Sequence, residues 1–470
     1  MTYTAKLFAA CACLAVGEAL GFSFAGFSQL WPLALAVLAA IALAGHGFGF
    51  PCWQFAFVFT AGAAIALLCA DGRAKELNRI SARDRAGEPI VARLKVEGAA
   101  SRTSFRSTLR GIPVMVAYPA GMAAEEPREG ETWECAGWLD LSGDDADDVS
   151  SRRLFWVGGA GGGLRKVPDG SILDSLVQRA RRSVLRRAGV GLEYSPQLAG
   201  LDRAILLGER SAVPHAQWTA FADAGTMHVF AVSGLHVMIV ARVIVALLAF
   251  LPPRARALAS IPALWFYVLV SGGSPSAIRA AAMASLCMSA FAAWRRPNPV
   301  AAWALAFVAV YGLDPMRIFD TGCALSFAVM LGILLAASLA GRDSKAGFLL
   351  VPLAAWMSGM PIVAHVFGRI TPGGILANLL LMPLVAVNVA SSMLGVLTSF
   401  VSTFAAAHLN NLAALSARAM LGISEAVASL PGANFEVARW SWTMCACWYV
   451  AMAMALWLAR RIISRRRNTL

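Results

Sequence analysis

The run PGGILANLLLMPLVAVNVASSMLGVLTSF, Pro372–Phe400, holds no acidic or basic residue in 29 positions. A helix crossing the hydrocarbon core of a bilayer needs roughly 20 apolar residues, so this run is long enough to span one. Asn378 and Pro383 interrupt it, which leaves a single helix, a broken helix and a re-entrant segment all open.

Similar runs extend outward on both sides. They lie at about 226–250, 257–271, 277–293, 300–312, 321–340, 347–366 and 441–459, and before these at 5–22, 29–45 and 53–70. The chain has 470 residues, 58% of them hydrophobic and 14% charged, with mean hydropathy +0.64. These values exclude a soluble multidomain enzyme. The expectation is a polytopic α-helical membrane protein with about 10–11 transmembrane helices. The first run follows Lys6 as a signal peptide would, but more spans follow at once, so it reads as a retained helix.

Residues 72–170 differ, carrying 15 Lys+Arg and 15 Asp+Glu, so the net charge of +13 belongs to the rest of the chain. The runs IVARLKVEGAA, TLRGIPVMVAYPA and ETWECAGWLDL alternate between turn signals, the pattern of strands. A small β-rich insert follows. A five-stranded barrel of oligonucleotide-binding (OB-like) type fits its length, and a β-sandwich fragment fits the pattern equally. Its basic residues gather between Arg73 and Arg110 and its acidic ones between Glu125 and Asp148, which suits either a nucleic-acid face or a structural barrel. The chain thus divides into N-terminal helices at 1–71, the insert at 72–170, a basic stretch at 171–200 and a second helical domain at 201–470.

Short-loop charge sets orientation. LPPRARA, AWRRPNP and AGRDSKAG carry two basic residues each and the tail ARRIISRRR carries five arginines, whereas SGGSPS, YGLDPM and FGRITPGG carry one between them. The basic connections belong inside the cell, so the insert is extracytoplasmic. In SLVQRARRSVLRRAGVG, Leu176, Val177, Ala180, Val184, Leu185 and Ala188 lie opposite Arg179, Arg182 and Arg186, as in an interfacial helix facing anionic lipid or nucleic acid.

An ionisable side chain inside a membrane needs a partner or a wet cavity. HVFAVSGLHV holds His228, Ser233 and His236, with Gly234 as a break. GSPSAIRAAAM holds Ser276 and Arg279, FDTGCALSF holds Asp320 and Ser326, and Asn378 lies in the opening run. The orientation puts His228, Arg279, Asp320 and Asn378 at one membrane face. Broken helices there would offer backbone N–H groups to an anion beside Arg279. Simpler roles stay open: an Arg279–Asp320 pair holding helices together, and histidines satisfying backbone carbonyls. Ser233 lacks the G-x-S-x-G elbow and an orienting acid, so bond-making chemistry is not expected. The nine cysteines show no zinc spacing, no His/Asp set forms a tight ligand motif, and no P-loop occurs; no metal or cofactor is expected.

The string ILLGERSAVPHAQWTAFADAGTMHVFAVSGLHV resembles the signature of the ComEC-type competence family, inner-membrane channels for single-stranded DNA. Its Leu-Leu-Gly-acidic-Arg, Ala-Gly-x-x-His and Ala-Val-Ser-Gly-Leu-His-Val elements fall at Leu206–Arg210, Ala224–His228 and Ala231–Val237. GGSPSAIRAAAM, LDPMRIFDTGCALSF and ILANLLLMPLV are similar to later family segments, except that Cys323 and Ala324 replace a Phe-Gln pair. The resemblance implies DNA uptake in natural transformation through a pathway of His228, Ser233, Gly234, His236, Ser276, Arg279, Asp320, Ser326 and Asn378. It also implies an OB-like identity for the insert. Many members end in a metallo-β-lactamase-like domain, whose His-x-His-x-Asp-His motif is not found here, so a separate nuclease is expected. The expected partners are single-stranded DNA, membrane lipids and a cytoplasmic motor or DNA-capturing protein, with a homo-oligomer compatible. A transporter or enzyme for another anionic substrate such as a lipid phosphate, or a non-transporting paralogue, are the competing readings.

Overall fold

The computed structural model describes residues 90–468, apart from 97–102, 110–111, 120–121, 123–126, 128–130, 141–152, 158–162, 168–171, 210–211, 314–316, 318–319 and 341–346. The three expected spans at 5–22, 29–45 and 53–70 lie outside the described residues.

The alternating runs form strands, as their pattern requires. They are β1 (Ile90–Lys95), β2 (Ser104–Leu109), β3 (Ile112–Ala117), β4 (Thr132–Asp140), β5 (Arg153–Trp156) and β6 (Gly163–Val167). The order along the sheet is β1-β4-β5-β3-β2, with β6 added beside β4. Only β3 and β5 run parallel, Val116 facing Phe155; β1 and β4 pair antiparallel, Leu94 facing Trp133. One side chain in two points inward, so Leu94, Phe105, Val114, Val116, Trp133 and Cys135 make a separate buried core.

Twelve helices follow among the described residues. The basic stretch forms α1 (Ile172–Arg187). Val177, Ala180, Val184 and Leu185 pack on the main core, while Arg179, Arg182 and Arg186 are exposed. Leu176, placed on the apolar face by its spacing, is instead exposed with Ile172 and Leu173. α2 (Pro196–Leu207) and α3 (His215–Asp223) precede a 3-10 turn at Met227–Phe230. Phe230 stacks on Trp218 and meets Phe221 edge-on, with centroids 5.4 and 4.7 Å apart, and these contacts fix the turn against α3.

The run at 226–250 is therefore two pieces, since α4 begins only at Gly234 and ends at Leu247. α5 (Pro253–Val270), α6 (Pro275–Ala292), α7 (Pro299–Leu313), α8 (Thr321–Ala340) and α9 (Gly347–Phe367) continue the bundle. α8 and α9 pack closely, because a side chain at Gly332 would meet Ser358 and the carbonyl of Ala354. The opening run forms one continuous helix, α10 (Gly373–Thr398), which keeps Pro383 inside it. α11 (Thr403–Ala428) turns back along α10, burying Ala406, Ala413, Ala417, Met420 and Val427. The 372–440 region is thus a helix pair. α12 (Trp442–Asn468) ends the described chain, and a two-residue ladder, β7 (Arg369–Ile370) with β8 (Phe435–Glu436), ties the ends of α9 and α11.

Among the described residues two helical stretches, Leu350–Phe367 and Gly373–Thr398, are long and apolar enough to cross a membrane, and four shorter apolar helices accompany them.

Candidate functional site: a cavity beside a broken helix

Breaking a helix strands its carbonyls, and burial makes that costly. Between the 3-10 turn and α4 the Val232 carbonyl has no helical partner. Two serines at the start of α6 supply one each: Ser274 Oγ donates to it at 2.9 Å and Ser276 Oγ at 2.6 Å. The new helix start is closed from within. Ser233 is the N-cap of α4, its hydroxyl accepts from the His236 N–H, and His236 Nδ1 accepts from the Ser233 N–H at 3.3 Å. This is a capping box with histidine in the place usually held by Glu or Gln. With Nδ1 accepting, the imidazole proton belongs on Nε2, and the Ser233 hydroxyl, 2.8 Å from Nδ1, donates to it. His236 is buried against the Ile205 backbone.

The preceding turn also dictates its residues. Gly225 has φ +71°, and a Cβ there would lie 2.9 Å from Cβ of Thr371. Only glycine satisfies both conditions.

Beside this break lies a cavity of about 2460 Å³. It follows α4 from Gly234 to Ala246 and is walled by α6, α8 and α9. His228 is exposed at its mouth beside Asn378 of α10, and Arg242 and Arg256 line the opposite end. Arg279 stands between. Its side chain is 94% buried, since 6% stays exposed, and Nε donates to Ser326 Oγ at 2.6 Å while Nη1 reaches Met283 Sδ. The side of Nη2 faces Gly234.

The Arg279–Asp320 pair that the sequence left open is not the contact observed. Asp320 Oδ1 accepts the Cys323 N–H at 2.8 Å, so this aspartate caps α8. A short acid at the residue before a helix finds that N–H locally, ahead of any partner on another helix. Among the described residues Arg279 has no carboxylate in ion-pair range.

Ser233, Gly234, Ser276, Arg279, Asp320, Ser326, His228 and Asn378 all line the cavity; His236 sits behind Ser233. Arg179, Arg182 and Arg186 do not line it. Five lining arginines, Arg181, Arg242, Arg256, Arg317 and Arg369, were not singled out from sequence, and two of these pair with distant acids. Arg181, 4% exposed, donates to the Val270 carbonyl and pairs with Glu209 at 3.3 Å. Arg369 pairs with Asp223 at 3.0 Å and Glu436 at 3.2 Å, joining three distant segments at the mouth. Their partners lie 28 to 146 residues away, so no local spacing announces them. No group of three or more His, Cys, Asp or Glu suited to a metal occurs among the described residues.

The chain is 30% identical over 196 residues to ComE operon protein 3 of Bacillus subtilis, covering 40% of this chain and 25% of that protein. It is 34% identical over 209 residues to Competence protein ComA of Neisseria gonorrhoeae, covering 41% and 28%. An uncharacterized protein of Aquifex aeolicus is 29% identical over 243 residues, half of this chain and 55% of that one. The matched region thus spans about a quarter of the two named relatives. No solved structure matches. The Competence protein family matches residues 205–462, which takes in the broken helix, Arg279 and the cavity walls made by α4, α6, α8 and α9, and the chain belongs to that family.

Proposed function

We infer that the chain is a multi-pass inner-membrane channel that passes single-stranded DNA during natural transformation. The observation that carries this reading is Arg279, a buried guanidinium with no carboxylate in ion-pair range among the described residues, on the wall of a cavity that runs the length of α4. A phosphodiester is the counter-charge it lacks. The phosphate backbone supplies sequence-independent binding, which is what a pathway for arbitrary DNA requires. The chemistry is contact without bond-making: Arg279 meets phosphates, and Ser233, Asn378 and His228 hydrogen-bond sugar, phosphate or base. Movement requires energy, which this reading assigns to a cytoplasmic motor or DNA-capturing partner, with a separate nuclease.

The extracytoplasmic insert is read as OB-like and as the first receiver of the strand. Its order β1-β4-β5-β3-β2, with β1 also touching β2, supports a nearly closed five-stranded path. Arg179, Arg182 and Arg186 on the free face of α1 suit the same polyanion or the lipid headgroups beside it.

The test is uptake of labelled DNA into the cytoplasm of a transformable host deleted for this gene. Complementation with wild type restores uptake, and Arg279→Gln lowers it by about tenfold or more, the scale of a lost charge-assisted hydrogen bond. Normal uptake in the deletion strain overturns the channel; full rescue by Arg279→Gln overturns the role of that residue.

A further inference from the structure

The cavity is divided along its length. Ser276, Arg279, Asp320 and Ser326 sit in the first turns of α6 and α8. Beyond them the same helix faces turn apolar, with Met283 and Met288 on α6 and Val329 and Ile333 on α8. α9 opposes them with Val351 and Met360. From Arg279 to Met288 is nine residues, a rise of about 13 Å of wall at 1.5 Å per residue.

A polynucleotide presents a charge at every repeat, and beyond Arg279 the walls of α6, α8 and α9 offer none in return, Arg242 and Arg256 lying on other elements toward the far end. An amphiphile with one anionic head and an apolar tail matches it along its whole length. An apolar void between helices in a bilayer is filled by chain in preference to water, which finds no polar partners there. A basic site between membrane helices is also where an anionic headgroup settles.

The geometry points to a bound anionic phospholipid, its phosphate on Arg279 and its acyl chains along α6, α8 and α9. The lipid occupies the cavity when no DNA is present. This rests on reading the helices as membrane-embedded, and it holds whether or not DNA is the cargo.

The test uses the full chain, purified and delipidated in mild detergent, with native mass spectrometry as readout. The probes are phosphatidylglycerol, phosphatidylcholine with the same chains, and glycerol phosphate without chains. One phosphatidylglycerol per protein is expected, held about tenfold more tightly than phosphatidylcholine, the scale of one charged hydrogen bond. Glycerol phosphate at equal concentration does not displace it. Arg279→Gln abolishes the headgroup preference, and Arg279→Lys retains most of it. Met330→Trp, on α8 between Val329 and Ile333 and also lining the cavity, fills the apolar wall and weakens both lipids while leaving the charge in place. Equal binding of the two lipids, or an unchanged preference in Arg279→Gln, overturns the proposal. Full competition by glycerol phosphate overturns it too, assigning the site to a free phosphate. No DNA enters this experiment, so loss of the channel reading would leave its outcome standing.

Discussion

His236 does the work that a glutamate does in most capping boxes, and does so without a negative charge inside an apolar bundle. His236→Gln keeps an acceptor at the right reach and is expected to melt close to wild type. His236→Leu loses the box and strands the Ser233 N–H, at a cost of about 1–2 kcal/mol. Thermal unfolding in detergent, followed by tryptophan fluorescence, separates the two; equal melting of both variants would show that the ring only fills space. In the insert, burial pushes the Cys135 thiol from its ordinary 9.0 up to about 12, with Glu134 adding to the effect. A thiol whose folded pKa is raised stabilises the fold below pH 9 and loses that contribution as pH climbs toward 12. At pH 8 Cys135 should resist maleimide in the folded chain and react after denaturation, as mass spectrometry of digests will report.

α2 is held to α10 by one buried acid. Asp202, fully buried, accepts from Asn388 Nδ2 at 2.8 Å and Ser392 Oγ at 2.7 Å through the same oxygen. Ser392→Ala removes a donor from a group with no water to replace it, and should lower stability by about 1–3 kcal/mol. An unchanged melting temperature would mean that the apolar contacts of α2 alone position it. The cluster also marks where sequence reading stops. Uncharged runs such as Gly373–Thr398 announce themselves by composition, and the serines and glycines before α4 and α6 announce breaks by their residue types. Asp202 and Ser392 are 190 residues apart, and nothing near either one names the other. Asp320 shows the opposite limit: membrane depth left a pair with Arg279 open, whereas its own helix supplies a closer N–H.

Across the whole molecule, loop charge predicts residue 145 outside and residue 295 inside. Single cysteines at these positions, in an otherwise cysteine-free chain, should react with a membrane-impermeant maleimide before and only after permeabilisation, respectively. Labelling of both from outside would overturn the orientation and with it the gathering of polar groups at one face. That gathering was legible as residues but not as a cavity, since a shared void depends on how α4, α6, α8 and α9 lean on one another. The serine pair on the Val232 carbonyl has a mechanical meaning as well. Hydrogen bonds between membrane helices are worth about 0.6 kcal/mol each on average, so the two together add about 1.2 kcal/mol to the aromatic contacts of Phe230. The 3-10 turn bearing His228 is thereby pinned from two sides, by α3 and by the start of α6, which makes it a rigid bracket for the histidine at the cavity wall.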